Sequence, residues 1–133
     1  IAQKEFKALV QKMRLAMRGA NGVGLSANQV GLDSRLFIAR VEGKLYTIVN
    51  PVIAKASAVS VELEEGCLSV PNRYGIVERA RTVTLAGFDY RGKKLKLKAW
   101  GLLAHVFQHE VDHLNGVLYV DKAKRLFGAS EKK

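Results

Sequence analysis

The apolar positions near the start of the chain repeat with the spacing of an amphipathic helix. Their intervals of three, one, three and four residues place them on one face of a helix over residues 3–18. Glycine and asparagine at 19–22 then predict that this helix ends in a turn. The apolar positions are Phe6, Leu9, Val10, Met13 and Met17.

The middle of the chain shows the short apolar runs and turn residues of β-structure instead. A turn at 42–44 predicts a hairpin, and a second turn at 89–92 joins the last two strands. Lysine and leucine alternate over 95–98, which predicts a strand with one face in solvent. Extended segments are predicted at residues 36–39, 46–49, 52–62, 74–77, 83–88 and 94–98.

Helical spacing returns at Trp100 and ends at Asn115-Gly116, where glycine suits the end of a helix. Apolar residues leave little of this segment polar, which is typical of a central, buried helix. Those residues are Leu102, Leu103, Val106, Phe107, Val111 and Leu114. A further short helix is predicted over 122–127. At 133 residues, the whole chain (1–133) is expected to be one domain.

Composition narrows the class of protein. The hydrophobic fraction is 48% and the charged fraction 26%, both ordinary for a globular protein. No apolar run reaches the roughly 20 residues of a membrane span, and no secretory signal begins the chain. Its net charge of +10 favours a polyanionic partner or merely solubility. The absence of an initiator methionine predicts a fragment or a processed product.

The buried helix carries all three histidines, at four-residue intervals. Residues i and i+4 share a helix face, so adjacent histidines can bind one metal ion. His105 and His113 are about 12 Å apart along the axis, too far to share an ion. Because Glu110 directly follows His109 and can act on metal-activated water, the pair His109 and His113 is preferred.

Cys67 is the best candidate for a third metal ligand. It is the one cysteine, so no intramolecular disulfide can form and a reducing compartment is expected. It lies between β segments beside Gly66, which permits an unusual backbone angle. The alternative is a buried apolar cysteine.

The glycine-rich stretch at 22–29 matches the dinucleotide fingerprint G-x-G-x-x-A. That fingerprint requires a strand before it and a helix after it, and here a helix comes before it. The nucleotide interpretation is therefore rejected. Two readings remain: a plain turn, which these residues favour, or a backbone passing close to a ligand.

Three motifs in order resemble those of the peptide deformylase family. They are Gly22-Val23-Gly24-Leu25-Ser26-Ala27-Asn28-Gln29, Glu65-Gly66-Cys67-Leu68-Ser69 and Gln108-His109-Glu110-Val111-Asp112-His113. The resemblance implies an α+β fold of mixed or antiparallel sheets packed around a central helix. It also implies hydrolysis of the N-formyl group from the formylmethionine of nascent chains, with release of formate.

The resemblance assigns roles to individual residues. It implies that Cys67, His109 and His113 hold the metal and that Glu110 is the general acid/base. Gln29 and the Leu68 N–H would bind the formyl oxygen. The metal would be Fe(II), with Zn(II), Ni(II) or Co(II) as substitutes. Substrate contacts are expected from Val23, Gly24, Leu25, Gly66 and His105.

The sequence also departs from the family pattern. Ser26 replaces the usual alanine, and His105 stands near the methionine pocket where arginine or an aliphatic residue is common. The segment that usually precedes the first helix is absent, which predicts an N-terminal truncation or a lineage-specific start. Asp112 is interpreted as structural.

Several expectations concern partners. A ribosome contact is predicted through the basic C-terminal residues Lys122, Lys124, Arg125, Lys132 and Lys133. We expect no membrane partner, a monomer, and a cytoplasmic location, or an organellar one in a eukaryote.

Two other functions remain open. A zincin-type endopeptidase would use the same histidines and glutamate but needs a third ligand downstream, where Asp121 is the nearest acid. A non-catalytic metal or nucleic-acid binding module would suit the charge but leaves Glu110 and Gln29 unexplained.

Overall fold

Two antiparallel β-sheets pack against the second of two helices in the computed structural model of the chain. The structure describes residues 3–19, 24–27, 35–67, 70–89, 91–116 and 125–128. The elements are α1 (Gln3–Gly19), β1 (Gly24–Ser26), β2 (Leu36–Val41), β3 (Lys44–Ala56), β4 (Ser60–Cys67), β5 (Val70–Ala80), β6 (Thr82–Phe88), β7 (Lys94–Trp100), α2 (Gly101–Leu114) and β8 (Arg125–Gly128). This architecture confirms the predicted α+β class.

The larger sheet has the strand order β1-β2-β3-β6-β7. The predicted hairpin is confirmed: β2 and β3 pair from Leu36↔Val49 to Val41↔Lys44. The last predicted hairpin is confirmed as well, because β6 and β7 pair from Thr82↔Trp100 to Phe88↔Lys94. Side chains of β7 alternate in exposure, as the lysine–leucine alternation predicts.

The smaller sheet, β4-β5-β8, corrects two predictions. The extended segment predicted over 52–62 is broken at residues 57–59, so its two halves join different sheets. Residues 125–128 form a strand instead of the predicted helix, since they pair with β5 from Arg73↔Gly128 to Ile76↔Arg125. Backbone pairing along β5 outweighs the weak helical pattern of so short a segment.

The strand β2 separates two hydrophobic clusters. Leu36 and Ile38 point toward α1 and pack with its Phe6 and Met13, whereas Phe37 on the opposite face packs toward α2. Successive side chains of a strand point to opposite faces, so a strand covered on both faces reads as a continuous apolar run. The predicted helix over 3–18 is confirmed, and its apolar face is the one that β2 covers.

The connection between β7 and α2 is immediate, and glycine makes it possible. Gly101 has a φ of 63°, a left-handed conformation that other residues adopt at a cost. The helix ends where predicted, with Gly116 at φ 78° and the Asn115 N–H donating to Val111 O at 3.1 Å. No helix within the described residues is long and apolar enough to cross a membrane.

The prediction that this helix is central and buried is confirmed, because strands of both sheets contact it. Its buried residues are Ala104, Val106, Phe107, Glu110, Val111 and His113. Three of them, Glu110, Val111 and His113, belong to the third motif, so the fold places that motif in the interior. Only specific pairing can make a buried histidine or glutamate tolerable there.

Candidate metal centre and active site

Two neighbouring faces of α2 carry different side chains, and each face meets a different sheet. His105 and His109 lie on the face that meets the β4–β5 hairpin, where both contact Glu65. Val106 and Glu110, each one residue further along, lie on the next face around the helix and approach β1. The site is therefore assembled where α2 passes between the two sheets.

His109 and His113 converge at one point. Their Nε2 atoms are 2.9 Å apart, and their ring centroids are 4.5 Å apart. His113 is 2% exposed, so its ring is held by its surroundings. Two imidazole nitrogens directed at one point are the arrangement that a shared metal ion requires.

Glu65 fixes the orientation of His109. Its Oε1 lies 2.7 Å from His109 Nδ1, while its Oε2 lies 2.6 Å from His105 Nε2. Arg79 donates to both oxygens, from Nη2 at 2.7 Å and from Nε at 2.6 Å. Each carboxylate oxygen thus faces two nitrogen atoms.

The ionisation state of Glu65 sets the tautomer of His109. Burial opposes ionisation of Glu65, but hydrogen bonds from Arg79, His105 and His109 outweigh it and hold the pKa of this carboxyl well below its usual range. An ionised carboxylate only accepts hydrogen bonds, so His109 donates to it from Nδ1–H. A neutral His109 ring then has its lone pair on Nε2, directed at His113. These two rings therefore fit a metal ion that takes Nε2 ligands.

Arg79 and Asp112 complete what we call the Glu65 network: Glu65, Arg79, His105, His109 and Asp112. Arg79 is 3% exposed and donates from Nη1 to Asp112 Oδ2. Burial acts to lower the pKa of its guanidinium, but the bonds to Glu65 and Asp112 dominate and raise it. The buried positive charge of Arg79 is thus paired with two carboxylates, those of Glu65 and Asp112.

Gln108 of the third motif has a structural position. Its amide Oε1 accepts from Ala80 N at 2.9 Å, and its Nε2 donates to Ala80 O at 2.9 Å and to Ala104 O at 3.0 Å. The two bonds to Ala80 attach the middle of α2 to the end of β5. They also keep Arg79, the residue before Ala80, beside the helix.

The other wall of the site is β1. Gly24 begins this strand, and Leu25 and Ser26 are 2% and 0% exposed. A plain turn was the favoured interpretation of this stretch, and it is wrong for residues 24–26: they pair with β2 from Gly24↔Ala39 to Ser26↔Phe37. Pairing with β2 and packing beside α2 give these residues a strand conformation that their composition does not reveal. Glu110, 3% exposed, lies on the face of α2 next to β1.

His105 also borders an open groove of about 730 Å³ beside the Glu65 network. Trp100 stands at its edge with 71% of its surface exposed. The remaining wall is mostly apolar and comes from both strands of the β4–β5 hairpin and the residues around it. It consists of Ser57, Val59, Val61, Leu63, Ala80, Arg81, Thr82 and Gly101.

Other predicted site residues lie outside the described part of the chain. Val23, Gln29 and Leu68 are among these. Gly66 and Cys67 are described only as backbone, at the end of β4, where Cys67 pairs with Val70. Among the described residues, no group of three potential metal ligands is assembled.

Glu65 and Arg79 are two site residues for which the sequence predicted no role. Strand alternation offers a signal: Leu63 and Glu65 lie on one face of β4, Val77 and Arg79 on one face of β5. The register places these faces together, with Val61 opposite Arg79 and Glu65 opposite Gly75. An acid and an arginine on one mostly apolar face of a hairpin would have predicted a buried ion pair.

Comparison with known proteins gives a consistent result. A family model described as polypeptide deformylase matches residues 1–127. The chain is 44% identical over 119 residues to the peptide deformylase of Treponema pallidum, covering 90% of this chain and 74% of that one. It is 43% identical over 125 residues to that of Halothermothrix orenii, covering 92% and 80%.

Solved structures agree with these relatives. The crystal structure of peptide deformylase from Thermotoga maritima superimposes with a TM-score of 0.88 at 35% identity, covering 92% of this chain and 83% of that one. The peptide deformylase of Synechococcus elongatus in complex with actinonin gives a TM-score of 0.87 at 39% identity, covering 91% and 66%.

Proposed function

Because the chain belongs to the peptide deformylase family, we propose that His109, Glu110 and His113 carry out the reaction of that family. Peptide deformylases remove the N-formyl group from the N-terminal formylmethionine of nascent polypeptides, and this chain is an enzyme of that type. The observation that supports our assignment most directly is the approach of His109 Nε2 to His113 Nε2, at 2.9 Å.

The family is metal-dependent, and we assign the ligands as His109, His113 and Cys67. Glu65 directs the His109 lone pair toward His113, as carboxylates do for histidine ligands of metals. Cys67 is two residues beyond Glu65 on β4, so the two backbones are within roughly 7 Å of each other. A mixed thiolate and imidazole set suits Fe(II), our choice for the cell, and also Zn(II), Ni(II) or Co(II).

A bound divalent ion supplies Lewis acidity, which lowers the pKa of water and polarises a carbonyl oxygen. The chain supplies the proton transfers. Glu110 takes a proton from the attacking water and delivers it to the departing amine as the C–N bond breaks and formate is released. Gln29 and the Leu68 N–H stabilise the negative charge on the formyl oxygen; losing one such donor typically costs about 3 kcal/mol.

Substrate contacts are assigned on both sides of the site. Val23, Gly24 and Leu25 contact the substrate from the β1 side, and Gly66 from the end of β4. His105 contacts it from the groove bordered by Trp100. The apolar wall of that groove and its continuity with His105 support an apolar side chain of the substrate as its occupant.

Turnover of formyl-Met-Ala-Ser by iron-loaded and zinc-loaded protein, prepared without oxygen, tests this function. Glu110→Ala should lower turnover about 100- to 10,000-fold while the protein still binds one metal ion. Full activity of that variant would remove Glu110 from the mechanism. Metal binding with no turnover by the unmodified chain would favour a binding module, and cleavage of an unformylated peptide an endopeptidase.

The ligand set can be tested separately from activity. Cys67→Ser and His113→Ala should each reduce bound metal well below one equivalent. The Synechococcus elongatus structure contains actinonin, and we propose that this chain binds it too. Actinonin should then raise the thermal unfolding temperature of the metal-loaded protein, and do so less in Cys67→Ser.

We further propose that residues 1–133 form one monomeric catalytic domain that meets its substrate at the ribosome, in the cytoplasm or an organelle. Co-sedimentation with ribosomes tests the contact. Replacing Lys122, Lys124, Lys132 and Lys133 by glutamine keeps β8, which a deletion of residues 121–133 would remove. Unchanged co-sedimentation at low salt would disprove a contact through these residues.

A further inference from the structure

The geometry points to Gly24 as a positioning residue for the Glu110 carboxylate. We infer that glycine is required at this position because any side chain there displaces Glu110 and not because the backbone needs glycine. This inference rests on the role of Glu110 given above. It extends that role to a second element of the fold, the edge strand β1.

The backbone of Gly24 is ordinary. It lies in β1, paired with Ala39 of β2, and it is not among the glycines with a positive φ. An alanine could adopt an extended conformation at this point without strain. The local conformation therefore gives no reason for glycine.

The surroundings of Gly24 give the reason. A β-carbon built on it lies 2.7 Å from Glu110 Oε2, and 3.1 Å from both Glu110 Cγ and Val106 Cγ1. Favourable contacts between nonbonded atoms lie at about 3.5–4.0 Å. The closest of the three atoms is the carboxylate oxygen itself, so the reactive end of the side chain occupies the space that glycine leaves.

Movement is easier for Glu110 than for its neighbours. The carboxylate ends a side chain with three rotatable bonds, whereas Val106 is β-branched and stiff in the helix. Both residues are anchored to α2, which contacts both sheets. An added methyl group is therefore accommodated by rotating Glu110, which preserves the fold and displaces the proton acceptor.

A matched substitution elsewhere separates this effect from simple crowding. Gly87 in β6 is also buried, and a β-carbon there lies 2.8 Å from Ile48 Cγ2 and 3.0 Å from Val49 O. Those atoms belong to a β-branched side chain and to the backbone, which cannot rotate away. Gly87→Ala should therefore destabilise the fold and leave the site geometry alone.

The experiment compares Gly24→Ala with Gly87→Ala in metal-loaded protein. We expect kcat for formyl-Met-Ala-Ser to fall about 100-fold in Gly24→Ala, because a displacement of about 1 Å can have that effect, and we expect KM to change much less than kcat. Its unfolding temperature should fall by less than about 4 °C. Gly87→Ala should lower the unfolding temperature by roughly 5–10 °C and keep the kcat of the folded protein.

A double-mutant cycle on the metal-free protein gives a readout independent of activity. In the Glu110→Ala background the carboxylate is absent, so Gly24→Ala should lower the unfolding temperature less than it does in the unmodified chain. Equal shifts in both backgrounds would overturn the inference. So would a raised KM with unchanged kcat, which would mean that Gly24 admits the substrate and does not position Glu110.

The two proposals fail in different ways. If Glu110→Ala retains full activity, the proposed function of Glu110 is wrong, whatever Gly24→Ala does. If Glu110→Ala is inactive and Gly24→Ala keeps its kcat, the role of Glu110 stands and the positioning role of Gly24 is wrong.

Discussion

The two sides of α2 hold the candidate active site by different physical means. Toward the β4–β5 hairpin, His109 is held by charge-assisted hydrogen bonds that run through Glu65 to Arg79. Toward the larger sheet, the helix is held by packing. Phe107 lies between Phe37 and Tyr46, with ring centroids 5.7 Å and 5.5 Å apart.

These two kinds of contact meet two separate requirements of a catalytic centre, which are the orientation of its side chains and the position of its helix. Hydrogen bonds are directional, so the Glu65 network can set the tautomer and the rotation of a ring. Burial of apolar surface has no preferred direction, so the aromatic contacts set only how closely the helix approaches the sheet. Changes in the Glu65 network should therefore alter metal binding, and changes in the aromatic packing around Phe107 should lower stability without altering metal binding.

Among changes to the Glu65 network, Arg79→Ala should lower the free energy of unfolding most. It leaves the Glu65 carboxylate buried without its main cationic partner, which typically costs about 3–5 kcal/mol. Urea unfolding of the metal-free protein measures this cost without a contribution from the ion.

The paired substitution Glu65→Leu with Arg79→Leu provides the control. Removing both charges should restore much of the lost stability, since no charge remains buried and uncompensated. Metal affinity should stay low, because His109 Nδ1 has lost its acceptor. Recovery of both properties would show that the Glu65 network has no part in orienting His109.

Glu65→Gln should reduce metal affinity about 10- to 100-fold, the usual effect of losing the acceptor behind a histidine ligand. The glutamine amide has one acceptor oxygen, whereas the carboxylate of Glu65 offers two to the donors around it. Competition with a chelator of known affinity measures the change. Glu64→Gln is the matched control, because this neighbouring carboxylate is exposed, and it should bind metal normally.

Phe107→Leu tests the apolar side. It should lower the free energy of unfolding by about 1.5 kcal/mol through lost packing and lost aromatic contacts. Metal affinity of the folded protein should stay within about twofold of the unmodified chain. A loss of affinity as large as that of Glu65→Gln would show that packing also sets the direction of the ligands.

The apolar side of the molecule follows from the sequence far better than the polar side. The spacing of apolar residues predicts both long helices and the two hairpins of the larger sheet, because burial imposes the periods of helix and strand on the chain. The same reasoning fails at 125–128, where four residues have too little pattern to distinguish a helix from a strand that joins an available edge.

The polar side depends on contacts between distant parts of the chain. His109 and His113 can be paired from their spacing alone, but Glu65 and Arg79 meet only through the register of a hairpin, 14 residues apart. The proximity of Gly24 to Glu110 joins positions in two separate motifs. Such contacts are set by the packing of whole elements, which a local pattern cannot specify.

Among these changes, Asp112→Asn should have the smallest effect on stability and metal affinity. Arg79 keeps both bonds to Glu65 in this variant, and an asparagine oxygen can still accept from its Nη1. We expect a loss of about 0.5–1 kcal/mol in stability and no change in metal affinity or turnover. A tenfold fall in metal affinity would instead place Asp112 among the residues that orient His109. The same contacts of this network would then both stabilise the fold and orient His109.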